Sequence, residues 1–409
     1  MNNSSNLGDE CMLSLKEHRI GKCLAGIWIA LFTALFLDGA VHAASPSDKL
    51  IEEQVKRLDT SEIEQYWDRL MKEYGGFFPE SGRPQFMDMI LPAGEGFDFA
   101  ALLTGLLRFF LYEILYSGEL MVTIVIITVF AMLLETLQSA FQRNAVSKVA
   151  YAITYIVLIV IAINSFSVAI DYAKDAISAM IHFMVAMVPL LLMLLASMGN
   201  IASASILHPL IIFMIHTVGT LIYTVVFPLL FLSTVLHIVS SLSEKYKVTQ
   251  LANLFKRISL TLLAVMLTIF LGVISVQGAA ASVADGVTIR TAKYIAGNFV
   301  PVVGRLFSDA GDTVIGASLL VKNAIGLAGV IMIVFLSAFP ALKILALVLI
   351  YNVTAAIMQP LGNSPIVACL RTVGQSMIFI FAALATVCLM FFLAVTIIIA
   401  AGNVSVMVR

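Results

Sequence analysis

From Phe97 to the C-terminus the chain is apolar almost without interruption, and this constrains the fold more than any motif does. Met377–Ala400 contains no charged residue. A helix needs about 20 consecutive apolar residues to cross the ~30 Å hydrocarbon layer of a bilayer. Hydrophobic residues make up 60% of the chain and charged residues 12%, with a mean hydropathy of +1.01. A soluble domain would sit nearer ~45–50% and ~25%. The sequence therefore predicts an all-α, polytopic helical membrane protein. The net charge of −1 offers no basis for a nucleic-acid partner.

The first residues read as a secretory signal. Lys16, His18, Arg19 and Lys22 form a basic region, Cys23–Leu37 is its apolar core, and Val41-His42-Ala43 supplies small residues for cleavage after Ala43. The alternative is an uncleaved first anchor. In either case residue 44 onwards starts outside the cytoplasm. No CxxC or metal-ligand spacing links Cys11, Cys23, Cys369 and Cys388.

Residues 44–96 form an acidic extracytoplasmic segment with 11 acidic and 6 basic residues. Ser61-Glu62-Ile63-Glu64 fits a capping box. Ile63, Tyr66, Trp67, Leu70, Met71 and Tyr74 then fall on one helical stripe, which Gly75-Gly76 ends. The stripe either packs on the protein's own outer face or docks a partner. Residues 97–137 are expected to hold an interfacial or tilted helix, Ala100–Ser117, bearing Arg108 and Glu113, and then a first span, Leu120–Leu137.

The next part reads as one apolar unit written twice, over 138–249 and 250–362. Val188-Pro189, Gly199 and Phe227-Pro228 each recur 112 residues later, as Val300-Pro301, Gly311 and Phe339-Pro340. Proline removes a helix hydrogen bond, so Pro189, Pro228, Pro301 and Pro340 are expected to break or kink their helices. Basic residues mark the cytoplasmic loops. Arg143 and Lys148 give 138–148 a charge of +2; Lys245, Lys247, Lys256 and Arg257 against Glu244 give 243–257 a charge of +3; Arg371 gives 360–374 a charge of +1. Each copy thus crosses an even number of times, two or four, and the copies are parallel. The remaining 363–409 holds a final span, Met377–Ala400, and a short tail.

The second copy differs from the first in charge. Arg290, Lys293, Arg305, Asp309, Asp312, Lys322 and Lys343 stand where the first copy is almost uncharged. Charge at membrane depth is costly and marks pathways or partner contacts. Three readings compete: snorkelling to the headgroups, structural ion pairs such as Lys322 with Asp309 or Asp312, and a conduit or subunit contact. The Val-Pro segment of this copy is expected to be re-entrant or interior. His182, His208, His216 and His237 are scattered and read as hydrogen-bonding groups rather than metal ligands. There is no GxxxxGK[ST], HExxH or GxSxG pattern, so neither a nucleotide site, a cofactor nor a catalytic residue is expected.

Gln277-Gly278, Asp285-Gly286, Arg290-Thr291-Ala292-Lys293-Tyr294, Asn298-Phe299-Val300-Pro301-Val302-Val303-Gly304, Ser308-Asp309-Ala310-Gly311-Asp312-Thr313-Val314 and Lys322-Asn323 carry a family resemblance. They resemble the stage III sporulation protein AE family, from about Leu58 to Ala401-Gly402-Asn403. The resemblance implies a multi-pass, non-enzymatic platform or pore subunit in the mother-cell-derived membrane around the forespore. It implies a channel complex, similar to secretion systems, that is needed for late forespore development. The implied partners are the other stage III sporulation proteins of the A operon, namely AA (which resembles a secretion ATPase), AB, AC, AD, AF, AG and AH, together with stage II sporulation protein Q. A self-contained secondary transporter and a purely structural scaffold are the rival readings.

Overall fold

The computed structural model describes residues 60–78, 99–140, 145–242, 248–299, 303–361 and 365–407. At 303–314 the description is of the backbone alone. The expected signal segment and most of 44–96 lie outside the described residues.

All regular structure among the described residues is helical. The order is α1 (Ser61–Tyr74), α2 (Phe99–Tyr116), α3 (Gly118–Ala140), α4 (Ala145–Ser197), α5 (Ile201–Leu221), α6 (Phe227–Leu242), α7 (Thr249–Phe299), α8 (Val303–Met358) and α9 (Pro365–Met407). Six stretches are long and apolar enough to cross a membrane: Ala100–Leu134, Val149–Ser197, Ile201–Ser241, Thr249–Thr288, Ile315–Met358 and Pro365–Asn403. The chain is an all-α polytopic membrane protein.

α2 and α3 act as one rod rather than an interfacial helix followed by a span. The backbone ladder passes through Ser117, whose amide donates to Glu113 O and whose carbonyl accepts from Met121. Glu113, expected at an interface, is 7% exposed.

α4 packs back on α5–α6 as a helical hairpin, whereas α7 and α8 follow each other in the chain and pack mainly on other helices, α7 on α9, α6 and α5 and α8 on α9 and α4. The four prolines, expected to break or kink their helices, have different surroundings. Pro189 and Pro340 lie inside the continuous helices α4 and α8. Pro189 is exposed between the buried Val188 and Leu190, and Pro340 is half-buried beside the buried Phe339; the single lost backbone bond does not stop either helix. Pro228 follows a five-residue π-turn, Ile222–Val226, which joins α5 to α6. Pro301 lies outside the described residues. The break in the first hairpin comes at Gly199, with φ 88°, the only positive φ among the described residues. Gly199 N–H donates to Ala196 O and Asn200 N–H to Leu195 O, the paired bonds of a Schellman cap. Glycine alone takes this left-handed geometry without a Cβ clash.

The 112-residue register therefore does not map turn onto turn. Gly199 sits at the tip of the first hairpin, whereas Gly311 lies within α8. The residues flanking Val300-Pro301 end α7 and begin α8 as helix. From Thr288 to Ala296 α7 has neither Gly nor Pro to stop it.

α1 forms where the stripe predicted it, with one local difference. Its N-cap is Thr60, not Ser61, and the Thr60 hydroxyl donates to Glu64 Oε1 at 2.6 Å instead of capping a backbone amide. Ile63, Trp67 and Leu70 are buried against the protein itself. Tyr66 meets Phe183 of α4 edge-on, Trp67 meets Phe335 of α8, and Tyr74 stacks on Phe339 of α8 at 3.9 Å. Phe109 of α2 closes this aromatic cluster against Tyr74 and Phe339. Self-packing, one of the two readings of the stripe, is the one observed.

Candidate functional site

The seven charged residues singled out by the sequence do not gather in one place. They divide among a buried node, a cavity and the adjoining ends of α7 and α8.

The buried node lies where the α4–α5 turn meets α7, α8 and α9. Lys322 of α8 is wholly buried, at 0% exposed. Its Nζ donates to the Ile399 carbonyl at 2.8 Å and to Asn403 Oδ1 at 3.3 Å, both on α9. Gly402 makes room for it: a Cβ there would lie 2.1 Å from Nζ and 2.9 Å from Leu195 Cδ1. The expected pairing of Lys322 with Asp309 or Asp312 does not form. All three lie on continuous α8, and a rise of ~1.5 Å per residue puts the aspartates about 20 and 15 Å away along the axis. Snorkelling is excluded too, because the ammonium ends inside protein.

Asp285 of α7 is the node's acid, and its role was not legible in the sequence. It is 2% exposed, and its two carboxylate oxygens accept the Ala202 and Ser203 amides, each at 2.9 Å. These are among the first amides of α5, which have no partner within the helix. A carboxylate there also opposes the positive end of the helix dipole. Nearby, Ser282 Oγ donates to Gly278 O and Ala401 O, tying α7 to α9. The buried Asn200 carboxamide and Ser203 hydroxyl have no protein partner. The Gly199-Asn200 pair was the available signal, since such a pair commonly ends one helix and opens the next.

Lys343 lies 21 residues from Lys322 on the same helix, about 31 Å along the axis at helical rise. Its Nζ sits 5.7 Å from the Tyr74 ring centre and 5.2 Å from that of Tyr172, a cation held between two aromatic faces. It lines a cavity of about 670 Å³ between α1, α4 and α8, which also takes in Arg69, Glu73, Asp175 and His182. Pro340 lies on this wall. Burial, then the hydrogen bond to Glu73, raises the Tyr74 phenol well above its ordinary range, so it stays protonated. His182 Nδ1 bonds to Ser178 O at 2.8 Å, and His237 Nδ1 to Ser233 O at 2.9 Å.

The third group lies on the end of α7 and the start of α8. Arg290 is exposed on α7. Lys293, Arg305, Asp309 and Asp312 belong to α7 and α8 by backbone, and their side chains lie outside the description. Asp285 is level with the α4–α5 turn, so the 14 residues from Asp285 to Phe299 carry α7 about 21 Å beyond it. Among the described residues, no group of three or more His, Cys, Asp or Glu side chains is placed to hold a metal ion.

The family model described as stage III sporulation protein AE matches residues 84–402. The chain belongs to that family. A relative named stage III sporulation protein AE, from Bacillus subtilis (strain 168), is 48% identical over 395 residues, covering 93% of this chain and 99% of its own length. No solved structure matches the chain. The stage III sporulation protein AE match takes in Asp285, Lys322, Lys343 and the charged ends of α7 and α8, and stops one residue short of Asn403. The chain is thus a sporulation protein carried on membrane-spanning helices.

Proposed function

We propose that this protein is a non-enzymatic platform or pore subunit of the channel complex that joins mother cell and forespore. It would act in the mother-cell-derived membrane, with the other stage III sporulation proteins of the A operon and stage II sporulation protein Q. The observation that carries this reading is Lys322. An ammonium with no carboxylate partner among the described residues is held inside an apolar bundle by a backbone carbonyl and an amide. Stability alone gives no reason to keep it, because apolar residues of similar volume are often neutral or better in such places. A charge retained at depth is expected to serve a pathway or a partner. The Lys343 cavity, with cations and anions on its walls, supports the same reading.

In this reading the basic loop at 243–257 faces the mother-cell cytoplasm and meets the ATPase. The acidic segment 44–96 faces the space between the membranes and meets the ring proteins. Cysteines placed in 243–257 should resist external labelling in intact cells, and those in 80–96 should label; the reverse would overturn the orientation.

The decisive experiment replaces Lys322 and Lys343 with Met, singly, in a sporulating host. Both variants are expected to accumulate in the membrane at wild-type level and to lose spore formation. Normal sporulation from both would remove the residue-level support for a conduit. Gradient-driven solute uptake by the purified protein alone in liposomes would favour a self-contained transporter instead.

A further inference from the structure

α1, α4 and α8 bring four charges to the wall of the cavity of about 670 Å³ without pairing them. Arg69 of α1 and Lys343 of α8 are the cations, and Glu73 of α1 and Asp175 of α4 are the carboxylates. Among the described residues no ion pair joins any two of the four, although Lys174, next to Asp175 in the chain, reaches Asp171 at 3.8 Å. The cations rest on ring faces instead. Arg69 lies 5.0 Å from the Tyr66 ring centre, and Lys343 lies between Tyr74 and Tyr172. A ring face engages one side of a cation and leaves its other N–H donors for a further acceptor.

These charges alternate in sign along the cavity. α1 runs against α4: Tyr66 meets Phe183, while Tyr74, further along α1, shares Lys343 with Tyr172. Measured from the Tyr74–Tyr172 level, Asp175 lies about 4.5 Å along α4 at helical rise, and Arg69 about 7.5 Å back along α1 in the same direction. Asp175 thus falls between the two cations, and Glu73 adjoins Tyr74. Lys343 is half-buried, whereas Arg69, Glu73 and Asp175 are exposed at the mouth. The buried Leu70 of α1, with Leu336 and Pro340 of α8, supplies an apolar wall. The volume falls within the ~300–1,000 Å³ of sites that enclose small organic molecules.

We propose that this cavity binds a free α-amino acid with an apolar side chain, its carboxylate on Lys343 and its ammonium on Asp175 and Glu73. A lone anion would gain Lys343 but face the two carboxylates. A lone cation would gain the carboxylates but face Lys343 and Arg69. A dipolar molecule with both charges on one carbon satisfies both signs, and the four wall groups sum to zero charge. Hydrogen bonds between ionised partners are about twice as strong as neutral ones. The ligand's side chain lies against Leu336 and Pro340, where its burial adds to binding. The site stands on this geometry and not on the channel reading, which Lys322 carries.

The test is equilibrium binding of tritiated L-leucine to the full chain in lipid nanodiscs at neutral pH. Saturable binding of one leucine per chain is expected. Isocaproate, which lacks the ammonium, and leucinamide, which lacks the carboxylate, should each compete at least tenfold more weakly than leucine itself. Lys343→Met and Asp175→Asn should each weaken leucine binding tenfold or more. Asp175 is exposed, so its variant keeps the fold even where Lys343→Met disturbs it. Arg108→Gln, which removes an exposed cation of α2 off the cavity wall, should bind leucine as the parent protein does. Equal competition by isocaproate or by leucinamide would reduce the cavity to a simple anion or cation site and overturn the proposal. Absence of saturable leucine binding, or binding that survives both substitutions, would overturn it as well. Binding of phosphoethanolamine but not of leucine would assign the cavity to a lipid headgroup instead. Loss of spore formation from Lys343→Met in a protein that never binds leucine would sink this inference and leave the channel reading standing.

Discussion

Asp285→Ala probes the buried node most directly. The carboxylate accepts two amides at the start of α5 from within a fully packed environment. Leaving a buried donor without a partner costs about 1–3 kcal/mol, so two orphaned amides set an upper range of about 2–6 kcal/mol. Asn200 lowers that figure. It is the N-cap residue of α5, and its carboxamide has no partner in the folded protein. Once Asp285 is gone, Asn200 can turn in and accept one amide, as an N-cap asparagine ordinarily does. The expected loss for Asp285→Ala is therefore about 2 kcal/mol, with the second amide still open. Asn200→Ala alone should be near neutral, because it removes a carboxamide that bonds nothing. The double variant should lose about 4 kcal/mol, more than the sum of the single losses. Hydrogen exchange of the amides at 201–204, read by mass spectrometry on the full chain in nanodiscs, measures this. About 2 kcal/mol corresponds to a roughly 30-fold loss of protection. Additive effects, or a loss above about 1 kcal/mol from Asn200→Ala alone, would refute the compensation argument.

Other outcomes follow from the same geometry. Gly199→Ala places a Cβ at φ 88° and should lower stability by about 1–2 kcal/mol, seen as a reduced melting temperature in detergent. Lys322→Met should melt at or above the wild-type temperature, because it removes an uncompensated buried charge while keeping its volume; a fall of several degrees would make Lys322 a structural staple. Trp67→Ala should release α1 from Phe335, since such truncations cost about 3–5 kcal/mol. Limited proteolysis should then cut within 60–78 while the helices from α4 onwards stay intact.

Much of the architecture was legible because bilayer physics leaves few options. Long uncharged runs such as Met377–Ala400 become helices wherever they sit, and α9 spans that run. The α1 stripe was equally readable, since its apolar spacing has no other use. Pro189 and Pro340 do not end their helices. A lone proline costs a helix one bond, and a packed bundle tolerates that in α4 and α8, whereas the left-handed turn at Gly199 ends a helix outright.

The amino-acid order by itself determined that this chain is helical and membrane-embedded, that it belongs to its sporulation family, and which residues carry charge in apolar surroundings. Each follows from local composition or from motif identity. Only the tertiary structure decided which charges meet. It separated Lys322 from the aspartates on its own helix and set it on α9. It placed Asp285 on the end of a helix 82 positions earlier in the chain. It also put Lys343 between two tyrosines from α1 and α4. Such pairings depend on how helices distant in sequence align in depth and rotation, which periodicity within a single helix does not encode.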